Sequence, residues 1–338
     1  TTTGATIIGN PNTLPHLPNG IESLTHGVLY WRSFIQWIGG MGIIVFTIAI
    51  LPLLGAGGIQ LFKAEVPGPV ADKIRPRVKE TAKILWMVYV GLTAAEAILL
   101  SISGMSWFDA ICHSFTTMPT GGFSTQNASI AAYTNPAIHY IIILFMFIAG
   151  VNFFLHFRSL TGNIKICFKD PEFLAYIGIM FAATLFIFLN IASAQGEWTH
   201  DNFLSSLFQS VSTLTTTGYG SADYEIWSFF SQYLILILMF IGGMGGSTGG
   251  GMKVARIILL VKYAATETRR MVHSRAIIPI RIGDRYIGED VVRNTLGFFL
   301  FYMSIFGITA LILTTLNLDI ESAIGAAASA IGNIGPGL

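Results

Sequence analysis

Four short stretches of this chain place a glycine beside small or hydroxylated residues at the end of an apolar segment. They read TTTGAT at 1–6, MPTGGFS at 118–124, TTTGYGS at 215–221 and GNIGPGL at 332–338. Aligned, they put four glycines in register at spacings of 117, 97 and 117 residues: Gly4, Gly121, Gly218 and Gly335. A stack of carbonyls aimed at one axis needs backbone angles that glycine adopts at low cost. The repetition favours a ring of carbonyl ligands over four unrelated turns.

Rings of backbone carbonyls replace the hydration shell of an ion in K⁺-channel filters, and the Thr-Gly steps of this chain resemble such a filter. We therefore expect a cation filter to which each stretch contributes two residues. The predicted filter residues are Thr3, Gly4, Thr120, Gly121, Thr217, Gly218, Ile334 and Gly335.

Composition indicates that this filter lies in a membrane. Hydrophobic residues make up 53% of the chain and charged residues 11%, whereas an average soluble domain has about 25% charged residues. Segments of about 20 residues can cross a bilayer. Such spans are predicted at 28–54, 81–103, 138–160, 172–194, 227–241 continuing past a break to 263, and 291–316. Shorter segments with the length of re-entrant pore helices precede the last three stretches: Trp107–Thr117, Asn202–Leu214 and Ile320–Ile331.

These elements predict an all-α membrane protein with four pseudo-symmetric repeats of helix, pore loop and helix around a central pore. The predicted repeats are 1–62, with a filter and a second helix only; 63–165; 166–265; and 266–338, with a cytoplasmic linker, first helix, pore helix and filter. Because the first and last repeats are incomplete, we expect this chain to be a portion of a longer protein. All repeats share one orientation, unlike the inverted repeats of many secondary transporters.

Basic residues set the expected orientation. Of the 19 Lys and Arg residues, all but Arg32 lie at 63–83, 158–169 or 253–293, and the filter-bearing loops contain none. By the positive-inside rule, the filters face outside and the basic loops are cytoplasmic. The same outer loops contain acidic residues, which favour a cation as the permeant species: Glu22, Asp109, Glu197, Asp201, Asp223, Glu225, Asp319 and Glu321. Asp201 and Asp319 stand where pore helices start, so helix capping is an equal alternative for them.

A second informative feature is the run IGGMGGSTGGGMK at 241–253, with seven glycines between Gly242 and Gly251. Each glycine costs about 1 kcal/mol against alanine in a helix interior, so the helix is expected to break. The preferred interpretation is an unwound gating loop at 242–252 below the third filter. A hinge or close helix packing is the structural alternative, and the GxxxxGK spacing of a phosphate-binding loop is absent. The predicted gate residues are Gly242, Gly243, Gly245, Gly246, Ser247, Thr248, Gly249, Gly250, Gly251 and Lys253.

The filter stretches, the glycine tract and a recurring IGGMG element resemble the TrkH/KtrB family of K⁺ uptake proteins, closest to its TrkH branch. The element occurs at Ile38–Gly42 and Ile241–Gly245, with a degenerate IAGVN at Ile148–Asn152. In that family, glycine at all four filter positions goes with K⁺ selectivity. The resemblance thus implies K⁺ as permeant ion, with Rb⁺ accepted and Na⁺ weaker, held at the filter residues, and no covalently bound cofactor.

The resemblance also implies partners and a location. It predicts a homodimer in the lipid bilayer of the bacterial inner membrane, gated by a cytosolic nucleotide-binding ring of the TrkA type, and no nucleic-acid partner. Residues 264–290 are longer and more polar than a turn requires, so the basic cytoplasmic stretch that includes them is a candidate for docking that ring, with topogenic charge as the alternative. Its basic residues are Lys262, Arg269, Arg270, Arg275, Arg281 and Arg285.

Two other functions make different demands on the sequence. A Na⁺- or H⁺-coupled cation symporter would need ionisable or unwound midplane sites in opposed repeats, and only one helix is clearly expected to unwind. An intramembrane enzyme is not expected, because no nucleophile has a nearby base.

Few other residues in the spans are ionisable. Pairing of Arg32 with Glu96 is the preferred, structural interpretation of these two residues, with a role in transport as the alternative. His113 and His156 are expected to be packed polar residues, and Cys112 and Cys167 too distant for a disulfide.

Overall fold

In the computed structural model, the described residues are 2–6, 8, 20–45, 78–162, 164–273, 278–283 and 285–337. Within these ranges the chain forms eleven α-helices and one two-stranded hairpin. The helices are α1 His26–Val45, α2 Val78–Ile102, α3 Trp107–Thr117, α4 Pro136–Ala149, α5 Phe153–Thr161, α6 Pro171–Gln195, α7 His200–Leu214, α8 Phe229–Ile241, α9 Val254–Val272, α10 Glu289–Thr314 and α11 Ile320–Gly332. The antiparallel hairpin pairs β1 Arg281–Ile282 with β2 Arg285–Tyr286.

The helices confirm the predicted all-α membrane class. In α2, α6 and α10, the segments Ala82–Ile102, Pro171–Gln195 and Glu289–Thr314 are long and apolar enough to cross a bilayer. Each is followed by a short helix that packs against it, α3, α7 or α11, of 11, 15 and 13 residues. These short helices match the three predicted pore helices. Residues 46–54 of the span predicted at 28–54 lie outside the described residues.

The predicted continuous span at 138–160 is wrong. Its two helices, α4 and α5, meet at a bend of 99° across residues 150–152. Asn152 starts the second helix, because its side chain accepts a hydrogen bond from the Phe154 N–H at 2.8 Å. The carbonyl freed at Gly150 accepts from Met244 N–H at 2.9 Å. This degenerate copy of the recurring motif therefore breaks its helix, as the copy at Ile241–Gly245 does.

The structure confirms the helix break at the glycine tract. Helix α8 ends at Ile241 and α9 begins at Val254. The chain between them folds back toward the end of α8, so that the Met252 N–H donates to Phe240 O at 3.1 Å and the Lys253 N–H to Ile241 O at 2.8 Å. An intramembrane loop of this kind requires protein around it to satisfy its backbone groups.

Capping residues distinguish the two acidic positions left open by the sequence. The Asp319 carboxylate accepts from Ser322 N–H at 3.0 Å and caps α11. At α7 the cap is Thr199, whose hydroxyl accepts from Asn202 N–H at 3.2 Å, and Asp201 lies exposed in the first turn. Asp319 therefore has a structural role, whereas Asp201 adds only its charge to this side of the molecule.

Candidate ion filter and the glycine tract below it

The four glycine stretches meet in one closed ring. A Cβ atom placed on Gly4 would lie 3.0 Å from Gly121 O, and one on Gly122 would lie 3.0 Å from Gly218 C. A Cβ on Gly218 would lie 3.0 Å from Ile334 C, and one on Gly335 would lie 2.6 Å from Gly4 Cα. Each stretch thus contacts the next one in chain order, and the fourth contacts the first. No side chain fits between neighbouring backbones here.

The inner ends of the pore helices hold three of the four stretches in place. The Thr116 carbonyl of α3 accepts from the N–H groups of Gly121 and Gly122 at 2.7 and 3.2 Å. The Ser212 carbonyl of α7 accepts from Thr217 and Gly218 at 2.9 and 3.4 Å. In α11, Ser329 accepts from Ile334 through its carbonyl at 2.9 Å and from Gly335 through its hydroxyl at 3.0 Å.

These hydrogen bonds correct the expected register by one residue in the second stretch. The counterpart of Gly218 and Gly335 is Gly122, and Gly121 occupies the place of Thr217 and Ile334. Backbone angles agree, because φ is +72°, +83° and +120° at Gly122, Gly218 and Gly335. The residues two positions earlier are also left-handed: Thr120, Thr216 and Asn333, at +53°, +59° and +59°. The Gly-Gly pair allowed either alignment. A hydroxyl residue six positions before the glycine, Thr116, Ser212 or Ser329, marks the correct one.

Different side chains connect the stretches around the ring. The Tyr219 hydroxyl of the third stretch reaches α3, where it donates to His113 O at 3.0 Å and contacts Thr116 Oγ1 at 2.5 Å. The Tyr224 hydroxyl donates to Gly337 O of the fourth stretch at 2.6 Å. Asn333 joins the fourth stretch to the first by donating to Thr2 Oγ1 at 2.9 Å.

A cavity of about 560 Å³ opens above the ring and touches Gly4, Gly122, Gly218 and Gly335. Arg32 also lines this cavity, where its guanidinium donates to Ser124 O at 3.0 Å and stacks over the Phe123 ring at 3.8 Å. The expected Arg32–Glu96 pair is therefore wrong. Glu96 is fully buried in α2, and its carboxyl oxygens have no hydrogen-bond partner within the described ranges.

The expected packing roles of the histidines agree with their contacts. His113 is buried, with its ring nitrogens 2.8 Å from Asp109 O and 2.9 Å from Ser124 Oγ. His156 Nε2 lies 2.8 Å from Ile148 O. Both cysteines are free and buried. In the described part of the chain, no cluster of His, Cys, Asp and Glu is arranged to hold a metal ion, so backbone oxygens of the ring are the candidate cation ligands.

The glycine tract lies against the inner ends of all three pore helices. The Thr248 hydroxyl donates to Met118 O at 2.9 Å, just after α3. The Gly250 N–H donates to Thr216 Oγ1 at 2.5 Å, just after α7, and the Gly251 N–H donates to Gly332 O at 3.1 Å, at the end of α11. Lys253 Nζ donates to Gly249 O within the tract. The tract thus contacts Thr216, which directly precedes Thr217 within the third stretch, and the first residues of the second and fourth stretches.

Comparison with known proteins identifies the family. The family model TrkH, described as a cation transport protein, matches residues 9–338. The chain is 43% identical over 347 residues to the Trk system potassium uptake protein TrkH of Escherichia coli (strain K12), with all of this chain aligned to 68% of that protein. The chain belongs to the TrkH family. It is also 44% identical to TrkH of Vibrio parahaemolyticus, covering 69% of that relative.

The fold of this TrkH family chain agrees with a solved structure. The crystal structure of the potassium transporter TrkH from Vibrio parahaemolyticus superposes with a TM-score of 0.86 at 41% identity, and the match covers 100% of this chain and 68% of that one. This likeness and the apolar helices together show that the chain is a membrane protein.

Glu172, in the first turn of α6, is a residue that sequence reasoning missed. Its Oε1 atom accepts from the Gly245 N–H at 2.7 Å and from the Ala255 N–H at 3.2 Å. One carboxyl group thereby joins the start of the tract to the start of α9. An acidic residue directly after the Asp-Pro helix start at 170–171 was the available signal, but nothing local relates it to a tract more than seventy residues later.

We expect Glu172→Ala to loosen the tract. Hydrogen bonds to charged groups contribute about 1.5–3 kcal/mol each, so loss of two should raise the opening rate at least about tenfold. The measurement is the rate of thiol modification of a Ser247→Cys reporter, since Ser247 is buried. Glu172→Gln, which keeps an oxygen acceptor, is the matched control and should react more slowly than Glu172→Ala. Equal modification rates of Ser247→Cys in wild type, Glu172→Ala and Glu172→Gln would contradict this role of Glu172.

Proposed function

We propose that this chain carries out K⁺ uptake across the bacterial inner membrane through the carbonyl ring formed by Thr3, Gly4, Gly121, Gly122, Thr217, Gly218, Ile334 and Gly335, with the second stretch in its corrected register. The observation that carries the proposal is the closed contact of four glycine stretches, in which each backbone meets the next without room for a side chain. A ring of carbonyl oxygens at that closeness suits a dehydrated monovalent cation. The relatives named above are potassium uptake proteins.

Helix electrostatics support a cation. Helices α3, α7 and α11 all end beside the ring, at Thr117, Leu214 and Gly332. A helix C-terminus carries a partial negative charge of about half an elementary charge. Three such ends around one region favour a positive ion there and disfavour an anion.

The proposed gate is the glycine tract, with residues Gly242, Gly243, Gly245, Gly246, Ser247, Thr248, Gly249, Gly250, Gly251 and Lys253. Its contacts with Met118 O, Thr216 Oγ1 and Gly332 O support an obstruction directly below the ring. Low helix propensity keeps alternative arrangements of such a segment within a few kcal/mol of each other. A cytosolic partner can therefore shift the gate by binding one arrangement better.

The proposed assembly is a homodimer in the inner membrane, with the ring facing outside and a TrkA-type nucleotide-binding ring on the cytoplasmic side. Arg269 suits docking because it is exposed at the end of α9. Its neighbour Arg270 instead binds Glu267 at 2.7 Å and donates to Ile278 O at 3.0 Å, and Lys262 donates to Arg281 O at 2.6 Å. Arg275 lies outside the described residues.

Coupled symport with Na⁺ or H⁺ is the second candidate. The bend between α4 and α5 supports this candidate, because it adds a second broken helix to the break between α8 and α9. Liposome flux separates the two functions: a channel gives passive Rb⁺ flux down its own gradient, whereas a symporter gives flux that requires the second ion.

Gly218→Ser should reduce ion discrimination. The new side chain collides with Ile334 O, and φ of +83° strains any residue except glycine. Strain of about 1–3 kcal/mol at the ring should lower the Rb⁺ to Na⁺ flux ratio at least about fivefold. Gly220→Ser is the matched control, because a Cβ on Gly220 meets no atom within 4 Å. An unchanged ratio in Gly218→Ser would refute the filter assignment.

Deleting Gly245–Gly249 should open the pore without a partner. The deletion removes the Thr248 contact with Met118 O and shortens the tract below the ring, so Rb⁺ flux in liposomes should rise. The Rb⁺ to Na⁺ ratio should stay close to wild type, since the ring is intact. Thr248→Val, which removes one hydroxyl only, is the milder control. Rb⁺ flux no higher than that of wild type would indicate that the tract is a packing hinge and not a gate.

Neutralising Arg269 should weaken docking of the cytosolic ring in a salt-dependent manner. Exposed ion pairs contribute about 0.2–1 kcal/mol, so Arg269→Gln should lower the affinity by up to about fivefold at low salt and less at high salt. Arg293→Gln is the control, because Arg293 is also exposed and pairs with Asp290 at 3.3 Å. Replacing Arg269 and Arg270 together is harder to interpret, because Arg270 also donates a hydrogen bond to Ile278 O. Unchanged affinity at both salt concentrations would leave only a topogenic role.

A further inference from the structure

We infer that Gln36, on α1, tunes the ion preference of the ring by donating hydrogen bonds to two of its carbonyl oxygens. The inference rests on the proposed function. Gln36 is fully buried. Its Nε2 group donates to Thr3 O at 3.1 Å and to Gly121 O at 2.8 Å. One amide therefore binds equivalent carbonyls of two neighbouring stretches.

The orientation of this amide is fixed from the other side. The Gln36 Oε1 atom accepts from the Phe123 N–H at 3.3 Å, which requires the NH₂ group to face Thr3 and Gly121. The helix that carries Gln36 is held in turn by Tyr89, whose hydroxyl donates to Trp37 O at 3.0 Å. Gln36 cannot move away from the ring without breaking buried hydrogen bonds.

The second and third repeats lack this amide. Alignment of the recurring motif at Ile38, Ile148 and Ile241 places Met146 and Met239 at the position of Gln36. Both methionines are buried. A methionine side chain fills similar space but donates no hydrogen bond. The polar contact is thus absent from these two repeats, and methionine is a residue that this position accepts in the same fold.

Two effects of the amide act in the same direction. An N–H bound to a carbonyl oxygen lowers the negative field that the oxygen offers to an ion, and a weaker field favours a larger cation over Na⁺. The same hydrogen bonds restrain the two oxygens, so that they cannot close in on a smaller ion. Removing the amide should therefore shift preference from Rb⁺ toward Na⁺.

The test compares Gln36→Met with wild type in liposomes containing the full-length protein, with Rb⁺ and Na⁺ fluxes measured separately. A net hydrogen-bond contribution of about 1 kcal/mol corresponds to about fivefold, and we expect the Rb⁺ to Na⁺ ratio to fall by that factor. The matched control is Gln232→Met. Gln232 is a buried glutamine of α8 whose Nε2 donates to the loop carbonyls of Glu225 and Trp227, at 2.6 and 3.1 Å.

A second measurement covers the case in which Gln36→Met lowers expression or flux in general. Rb⁺ bound to the folded state raises the melting temperature, and the excess of the Rb⁺ effect over the Na⁺ effect should shrink in Gln36→Met but not in Gln232→Met. Wild-type protein with no preference for Rb⁺ would overturn the proposed function and this inference together. Suppose instead that wild-type protein prefers Rb⁺ and that Gln36→Met and Gln232→Met have the same Rb⁺ to Na⁺ flux ratio and the same thermal shifts. That result would overturn the role of Gln36 alone.

Discussion

The structure depends on one constraint: backbone polar groups surrounded by apolar helices must find partners inside the protein. The filter stretches meet it by giving their N–H groups to the last turn of the preceding pore helix, at Thr116, Ser212 and Ser329. This arrangement fixes the loops through their N–H donors and does not use the carbonyl oxygens of the same residues. The short length of the pore helices follows, because each has to end at the depth where its loop begins. The left-handed glycines follow too, since the chain must turn sharply within a few residues of that end.

The same constraint joins the glycine tract to the ring. A broken helix exposes N–H groups that an unbroken one would satisfy, and in this chain they are bound by Glu172, Thr216 and Gly332. Thr216 immediately precedes Thr217 of the third filter stretch and is itself in a left-handed conformation. Motion of the tract therefore cannot be independent of the loop above it. The bend at Gly150 belongs to the same unit, because its freed carbonyl accepts from the tract at Met244.

Features set by local composition could be predicted from the sequence, and features set by distant contacts could not. Apolar length identified the spans at 81–103, 172–194 and 291–316 and the three pore helices, and glycine content identified the break after Ile241. The break after Ala149 was missed because it depends on Asn152 as a cap and on a partner loop almost a hundred residues later. The register at Gly121 and Gly122 was missed because two adjacent glycines allow either alignment, and the order of their hydrogen bonds to Thr116 O and the positive φ of Gly122 separate them. The prediction of an Arg32–Glu96 pair was wrong because two residues at the same depth in a membrane need not face each other.

The four contacts that close the ring differ chemically, although the repeats that form it are related. An amide at Gln36 joins the first stretch to the second, and a phenol at Tyr219 joins the third stretch to the second pore helix. Tyr224 joins the third to the fourth, and Asn333 joins the fourth to the first. A ring of identical subunits would repeat any substitution four times, whereas a substitution in this chain alters one contact and leaves three unchanged. Four stretches in a single chain thus allow the geometry on each side of the ring to be adjusted separately, and Met146 and Met239, at the place of Gln36 in the other two copies of the motif, show that these copies differ at this position.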